Sequence, residues 1–306
     1  MKHFLSLADL SAQDLRTILD TAHAQKKARA HLPKGAPDPT LTLPGHTLAC
    51  IFEKNSTRTR FSFEQAMRQA GGSAIIVNAS DMQLGRGEPI RDTARVLSRY
   101  VDAIMLRTNA HATLTEFAQW SDVPIINGLS DYNHPCQILA DLMTLEERGH
   151  TLAESRLAWI GDGNNVLQSL INAAPLVGYT LVISSPSEYS LPTQILDAAR
   201  KAGATIEVAD TPEAAAIGSD AIITDCWVSM GDEDYDARVT ALTSYRVDEN
   251  LMRRANPHAT FLHCLPAYRD KEVSDAVIEG EQSAVWDEAE NRLHAQKAVL
   301  GWCLVY

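Results

Sequence analysis

Phe52-Glu53-Lys54-Asn55-Ser56-Thr57-Arg58-Thr59-Arg60 is the stretch whose reading decides the fold. It follows the apolar run Thr47-Leu48-Ala49-Cys50-Ile51-Phe52, which reads as a buried strand. It precedes Phe61-Ser62-Phe63-Glu64-Gln65-Ala66-Met67-Arg68-Gln69, which reads as a helix ended by Gly71-Gly72. Ser56-Thr57-Arg58-Thr59 therefore falls where a strand hands over to a helix N-terminus. Unsatisfied backbone N–H groups and the positive end of the helix dipole point outward there. With the hydroxyls of Ser56, Thr57 and Thr59 and the guanidinium of Arg58, the turn is a phosphate cradle built without a glycine-rich loop. The plain alternative is a capped helix with a solvated basic first turn. Cations are disfavoured at a helix N-terminus, so two arginines there ask for an anion.

Outward from this turn the same alternation repeats. Upstream, residues 10–30 start at a Ser11 cap and carry apolar Leu15, Ile18, Leu19 and Ala22, an amphipathic helix. Residues 31–44, with four prolines, are a loop. Downstream, strands are expected at 73–77, 103–107 and 123–127, with helices from Pro89 to about Tyr100 and from Ala112 to Trp120. Asp81 to Glu88 is a polar, Gly-punctuated loop. His134-Pro135-Cys136-Gln137 opens a helix to Arg148, and the pattern then restarts. Strands are expected at 156–162, 180–184, 205–208, 221–224 and 260–263, with helices at 164–177 and 191–202 and a last helix at 289–304. The fold class is α/β, with two domains, each a parallel sheet flanked by helices and joined by interdomain helices. Ligands of open α/β sheets bind beyond the carboxyl ends of the strands. Ser56, Arg107, Asn127, Asp162, Asp225 and His263 all lie just past such ends.

A chain of 306 residues exceeds one comfortable core, and 45% hydrophobic with 22% charged residues is ordinary for a water-soluble globular protein. A net charge of −12 argues against nucleic acid or an anionic membrane as a bulk partner, without bearing on a small anion in a local basic pocket. Five widely spaced cysteines with no C-x-x-C indicate neither a disulfide framework nor a zinc knuckle, and point to a reducing compartment. No signal peptide or membrane span is indicated, so a cytoplasmic location is expected.

The other polar groups read less sharply alone. Arg107 ends a strand as a lone cation, or is a surface arginine. His134 and Gln137, at a helix start, would both face a ligand there; the dipole favours a neutral imidazole. Gly161-Asp162-Gly163-Asn164-Asn165 lacks the third glycine of a dinucleotide fingerprint and better suits a helix cap with polar ligand contacts. Asp225 can hold an ammonium, and Ser229-Met230-Gly231 can offer backbone N–H groups to a carboxylate; the alternative is a strand-end turn with Trp227 in the core. His263 and Cys264 suggest metal or a nucleophile pair, but neighbours on an extended strand point to opposite sides, so the two are not expected to chelate one ion. Arg292 is a further cation, or part of a solvated helix face.

Together these residues resemble the aspartate/ornithine carbamoyltransferase family along essentially the whole chain. Ser56-Thr57-Arg58-Thr59-Arg60 is similar to the family's carbamoyl phosphate signature, and His134-Pro135-Cys136-Gln137 to the ornithine branch's second motif. Asp225-Cys226-Trp227-Val228-Ser229-Met230-Gly231 and His263-Cys264-Leu265-Pro266 resemble its amino-acid-side motifs. The sequence departs from the family pattern at Asn55, Cys226, Tyr268 and Asp270. The resemblance implies a carbamoyl phosphate domain at residues 1–148, completed by a C-terminal helix at 289–306, and an ornithine domain at 149–288. It implies that Ser56, Thr57, Arg58, Thr59, Gln83, Arg107, His134, Gln137, Cys264, Leu265 and Arg292 bind carbamoyl phosphate, with Gln83 contributed from a neighbouring chain. Asn165, Asp225, Ser229 and Met230 match ornithine contacts, and Cys264, Asp225, Arg107 and His134 are the expected catalytic groups.

The activity that the resemblance implies is transfer of the carbamoyl group of carbamoyl phosphate to the δ-amine of L-ornithine, giving L-citrulline and phosphate in arginine metabolism. No metal and no organic cofactor is expected, since the donor is already activated. The expected assembly is a homotrimer or a multiple of trimers. Alternatives are a related amine, putrescine or N-acetylornithine, or a non-catalytic anion-binding protein on the same fold.

Overall fold

The apolar run that opens the cradle forms one of two central strands in a four-stranded parallel sheet. The computed structural model describes residues 1–228 and 234–305. They divide into two units, the first Met1–Ala140 with Asn291–Tyr306, the second Asp141–Glu290. The first unit runs α1 (Ala12–Ala28), β1 (Thr47–Phe52), α2 (Arg58–Ala70), β2 (Ser73–Asn78), α3 (Ile90–Leu97), β3 (Ala103–Arg107), α4 (His111–Trp120), β4 (Ile125–Leu129) and the start of α5 (Pro135–Glu147). Its sheet has the order β2-β1-β3-β4, every pair parallel. β1 and β3 are almost wholly buried because both faces are covered, which is why their sequences are apolar without alternation. β2 is an edge strand, and Ile75 on it is 50% exposed. Ile51, Ile104, Leu106, Leu114, Phe117 and Ile125 form the core beneath α3 and α4.

The second unit runs β5 (Arg156–Ile160), α6 (Asn165–Val177), β6 (Thr180–Ser184), α7 (Thr193–Lys201), β7 (Thr205–Val208), α8 (Pro212–Ala216), β8 (Ala221–Thr224), α9 (Tyr235–Leu242), α10 (Glu249–Met252), β9 (Thr260–His263), α11 (Asp275–Ile278) and the start of α12 (Val285–Leu304). Its parallel sheet has the order β7-β6-β5-β8-β9. Ala158, Ile160, Val182, Ile222 and Phe261 are among its buried core residues.

In each sheet the order reverses once. The first reverses between β1 and β3, where Phe52 pairs with Arg107; the second reverses between β5 and β8, where Trp159 pairs with Ile223. Loops leaving two such strands diverge to opposite faces and open a crevice at the carboxyl ends. The two crevices are where Ser56–Thr59 with Arg107, and Asp162 with Asp225, arrive.

Several elements differ from expectation at their ends. α3 stops at Leu97, where the Ser98 hydroxyl donates to the Ala94 carbonyl and competes with the next helical turn. The loop at 81–88 is wound into two short 3-10 turns, Ala79–Asp81 and Gln83–Arg86. α12 begins four residues earlier than 289, its first turn closed by Glu288 N–H on Ala284 O and favoured by Asp287 and Glu288 at the positive end of the dipole. No helix among the described residues is long and apolar enough to cross a membrane.

Within the first unit, α12 carries an ionic cluster. Lys297 is fully buried and donates to Asp38 Oδ2 and to Gln69 Oε1, while Arg29 Nε donates to Asp38 Oδ1 at 2.8 Å. His294, also buried, is held down at about 3 by loss of water first and then by Lys297, Lys26, Arg29 and Lys34. An unfolded histidine titrates near 6.5. Because the folded value is depressed, protonation favours the unfolded chain. The stability is therefore complete above about pH 6.5 and is lost as pH falls from there towards 3, with a slope of about 1.4 kcal/mol per pH unit. His294→Gln is expected to flatten the decline in urea midpoint between pH 7 and pH 5. Equal declines in parent and variant would assign the acid sensitivity to other groups.

Candidate active site

In the first unit the cradle is held from below. Glu53, just past β1, donates its N–H to Arg107 O at 2.8 Å. The Glu53 carboxylate accepts the Thr108 hydroxyl at 2.6 Å and the Asn109 N–H at 2.7 Å. The loops after β1 and β3 are thus tied together, and Arg107 is fixed beside the start of α2. Thr57 caps α2 from a helical backbone conformation and makes no side-chain cap bond. The first intrahelical bond into this turn is Phe61 N–H on Thr57 O, so the Arg58, Thr59 and Arg60 amides precede the ladder.

Onto this N-terminus two guanidinium groups converge. Arg107 Nη1 donates to Thr59 Oγ1 at 3.1 Å, and Arg292 Nη2 donates to the same oxygen at 2.8 Å. Two positive charges about 5 Å apart repel by roughly 3 kcal/mol at an effective dielectric of about 20. Cations gathered at a helix N-terminus suit an incoming anion. Arg58, partly exposed, joins the group: the His134 imidazole is held well below the usual histidine range by burial and then by Arg292, Arg107 and Arg58. His134 is therefore neutral near pH 7. It precedes α5 in a loop built by Asn127, whose amide donates to Leu5 O at 2.9 Å and to Asn133 Oδ1. Gln137 is fully buried one turn into α5. Ser56 is partly exposed and Thr57 exposed at the rim. Gln83 is also exposed, and no hydrogen bond among the described residues links its side chain to the cluster.

In the second unit the corresponding crevice is acidic. Gly161 has φ 126, and Gly163 donates its N–H to Tyr189 O at 2.7 Å where a Cβ would meet that oxygen at 2.6 Å. Both glycines serve the turn into α6 rather than a phosphate. Asn164 caps α6, its Oδ1 accepting from Val166 and Leu167, while its Nδ2 donates to Asp225 Oδ2 at 2.8 Å. Asp225, 6% exposed, also accepts on Oδ1 the Cys226 N–H at 2.8 Å and the Cys264 thiol at 3.0 Å. A carboxylate offers about four acceptor positions, so these three leave room for an ammonium N–H. The Cys264 thiol is pushed up by burial and then by Asp225, and stays protonated. The direct neighbour of Asp225 is Asn164; Asn165, matched to an ornithine contact, opens α6 with its side chain partly exposed. Ser229, Met230 and Gly231 lie outside the described residues.

The strand-alternation argument against His263 and Cys264 sharing an ion does not hold. β9 ends at His263, and the chain turns at once through Leu265, which has φ 55. Ligand atoms of Asp225, His263 and Cys264 consequently lie within 4.8 Å of one another. The imidazole is nonetheless committed. Its Nδ1 accepts the Leu265 N–H at 2.9 Å, leaving Nε2 protonated and 3.3 Å from Glu272 Oε1. With a protonated thiol beside it, the group fits a device that shapes the Cys264-Leu265 turn. Glu272 also accepts the Tyr268 N–H, and Glu288 accepts the His263 N–H at 2.8 Å. Both glutamates are buried.

Sequence reading missed Glu272, Glu288 and Arg238. Arg238 Nη1 donates to Asp162 Oδ1 at 2.8 Å and its guanidinium stacks on Tyr189. The sequence signal for Glu288 is its place four residues before Arg292, one turn apart on α12. Nothing in the spacing of Glu272 or Arg238 marks them.

Two family models match the chain. The first, described as the aspartate/ornithine carbamoyltransferase carbamoyl-P binding domain, covers residues 2–147. The second, the Asp/Orn binding domain of the same family, covers residues 153–303. The ornithine carbamoyltransferase of Caulobacter vibrioides is 54% identical over 302 residues, 99% of this chain and 97% of that protein. That of Rhizorhabdus wittichii is 54% identical over 303 residues, 99% and 98% of the two chains. Among solved structures, the ornithine carbamoyltransferase of Pyrococcus furiosus superposes with a TM-score of 0.93 at 44% identity, covering 99% of this chain and 97% of its own. With both halves matched in order and the relatives aligned end to end, the chain belongs to the aspartate/ornithine carbamoyltransferase family.

Proposed function

We propose that this protein transfers the carbamoyl group of carbamoyl phosphate to the δ-amine of L-ornithine, releasing L-citrulline and phosphate. The observation that carries the reading is the pair of guanidinium groups on Thr59 Oγ1 at the start of α2, beside a neutral His134. The names of the relatives agree with it.

In this reading residues 1–148, completed by 289–306, hold carbamoyl phosphate. Ser56, Thr57, Arg58 and the α2 amides take the phosphate oxygens, and Gln83 is supplied by a neighbouring copy in a homotrimer or a multiple of trimers. Arg107, Arg292, Thr59, His134 and Gln137 surround the carbamoyl group. A neutral His134 can donate one N–H to the carbonyl oxygen without adding a fourth positive charge. Residues 149–288 hold the amine, with Asp225 accepting from its ammonium and Asn165 beside it. Ser229 and Met230 take the α-carboxylate, and Cys264 and Leu265 line the reacting centre. The neutral δ-nitrogen attacks the carbamoyl carbon, the carbonyl oxygen gains charge against Arg107, Thr59 and His134, and the C–O bond to phosphate breaks. The departing phosphate is held against Arg58 and the helix end, and its leaving oxygen takes up the proton that the nitrogen gives up. A cytoplasmic place in arginine biosynthesis fits this chemistry.

The test is ureido product formed from carbamoyl phosphate with L-ornithine, putrescine, N-acetylornithine, L-aspartate and L-lysine. Turnover confined to L-ornithine is expected. Turnover with a different amine would keep the carbamoyl phosphate half of the reading and discard the amine half. Binding of carbamoyl phosphate without turnover of any amine would mark an anion-binding protein.

A further inference from the structure

Cys226 and Cys264 stand at adjacent strand ends. β8 and β9 pair in parallel up to Thr224 and His263, so Cys264 is the first residue past one strand end and Cys226 the second past its neighbour. Neighbouring strand ends stand roughly 4.8 Å apart. That is inside the range of roughly 4.4–6.8 Å that a disulfide spans. A second observation agrees. Asp225 Oδ1 accepts both the Cys226 N–H, at 2.8 Å, and the Cys264 thiol, at 3.0 Å, so thiol and neighbouring main chain meet over one oxygen. Both cysteines are partly exposed, whereas Cys50, Cys136 and Cys303 are buried.

We propose that Cys226 and Cys264 are a modification site, an oxidisable pair that closes to a disulfide when hydrogen peroxide reaches it and reopens with a thiol reductant. The Cys226 sulfur, as thiolate, attacks one peroxide oxygen; the O–O bond breaks, and the second oxygen leaves and is protonated to water. Cys226 is then a sulfenic acid. Cys226 is the first to react because the Cys264 thiol is held protonated against Asp225. The Cys264 sulfur next attacks the Cys226 sulfur, passing its proton to Asp225. The S–O bond breaks, and the hydroxide leaves as water with that proton. Two thiols have lost two electrons and two protons, and one peroxide has become two waters. A dithiol returns both electrons and restores the pair. The cross-link takes the thiol off Asp225 and draws Cys264 aside, so turnover stops; that consequence rests on the proposed function, but the disulfide does not.

The test uses the full chain treated with hydrogen peroxide, quenched, digested without reduction and weighed. A peptide pair joining Cys226 to Cys264, lighter by two hydrogens, is expected. Citrulline formation should fall in proportion to the linked fraction and return with dithiothreitol. Cys226→Val, which keeps the backbone N–H on Asp225 and about the same volume, is expected to retain basal turnover and to survive a peroxide dose that silences most of the parent. A parent that accumulates sulfinic acid on Cys264 with no linked peptide would overturn the proposal. So would a Cys226→Val variant that loses activity reversibly at the parent's rate. A linked peptide with turnover intact would uphold the disulfide and reject Cys264 as part of the reacting centre.

Discussion

Replacing Arg107 with leucine is expected to weaken carbamoyl phosphate binding by roughly 10²–10³-fold, the equivalent of about 3–4 kcal/mol for removing a charge-assisted hydrogen bond from a largely buried site. Arg107 ends β3, a central strand at the switch point of its sheet, and its Nη1 reaches Thr59 Oγ1 at 3.1 Å. There it shares that acceptor with Arg292, so two cations face the helix N-terminus together. The same geometry sets a second expectation. Carbamoyl phosphate should raise the melting temperature of the variant less than it raises that of the parent. Calorimetric titration with carbamoyl phosphate, with a thermal melt run both with and without it, measures both effects. A loss of affinity below about threefold, with the melt still raised by ligand as in the parent, would move the phosphate away from Thr59.

The strand-to-helix turn that carries Thr59 was legible because local chemistry alone specifies it: an apolar central strand, a hydroxyl-rich turn, and a helix stopped at Gly71, which takes φ 90. Both sheets could be read for the same reason, since central parallel strands are apolar throughout. The features that could not be read depend on partners distant in sequence. Arg292 meets Thr59 across 233 residues, and on its own helix it looks like any solvated arginine. Glu272 and Glu288 resemble surface carboxylates, yet both are buried to hold His263 and the Leu265 turn. The direction of Cys264 escapes the alternation rule because alternation ends where the strand ends; beyond β9 the positive φ of Leu265 sets where the thiol goes. Asp270 also takes a positive φ of 65, which aspartate tolerates better than most residues. α8, α10 and α11, of four or five residues each, are too short for periodicity and exist only because the second unit's core covers them.

Asp225→Asn is expected to reduce kcat/KM for L-ornithine by roughly 10²–10⁴-fold while leaving carbamoyl phosphate affinity within about twofold of the parent. The carboxylate is 6% exposed and takes donors from three directions: the Asn164 amide, the Cys226 N–H and the Cys264 thiol. An asparagine in its place can still accept through one oxygen. Its amide nitrogen, however, must face either the Asn164 Nδ2 or the Cys264 thiol, donor against donor, and its charge is gone. The ammonium of the substrate then meets a neutral, partly mismatched group, so binding of the amine and alignment of its δ-nitrogen both suffer. Carbamoyl phosphate affinity should change little because the groups assigned to its phosphate belong to the first unit, and of those assigned to the rest of it only Cys264 and Leu265 do not. Asn164→Ala provides the graded comparison. It removes one donor to Asp225 and the cap of α6, and should cost about 1–2 kcal/mol in stability with a smaller loss in kcat/KM than Asp225→Asn. If Asp225→Asn weakened carbamoyl phosphate and ornithine alike, Asp225 would be holding the fold around both ligands. If it changed neither, the ammonium would have to be held by another group, and the assignment of the second crevice to the amine would lose its main support.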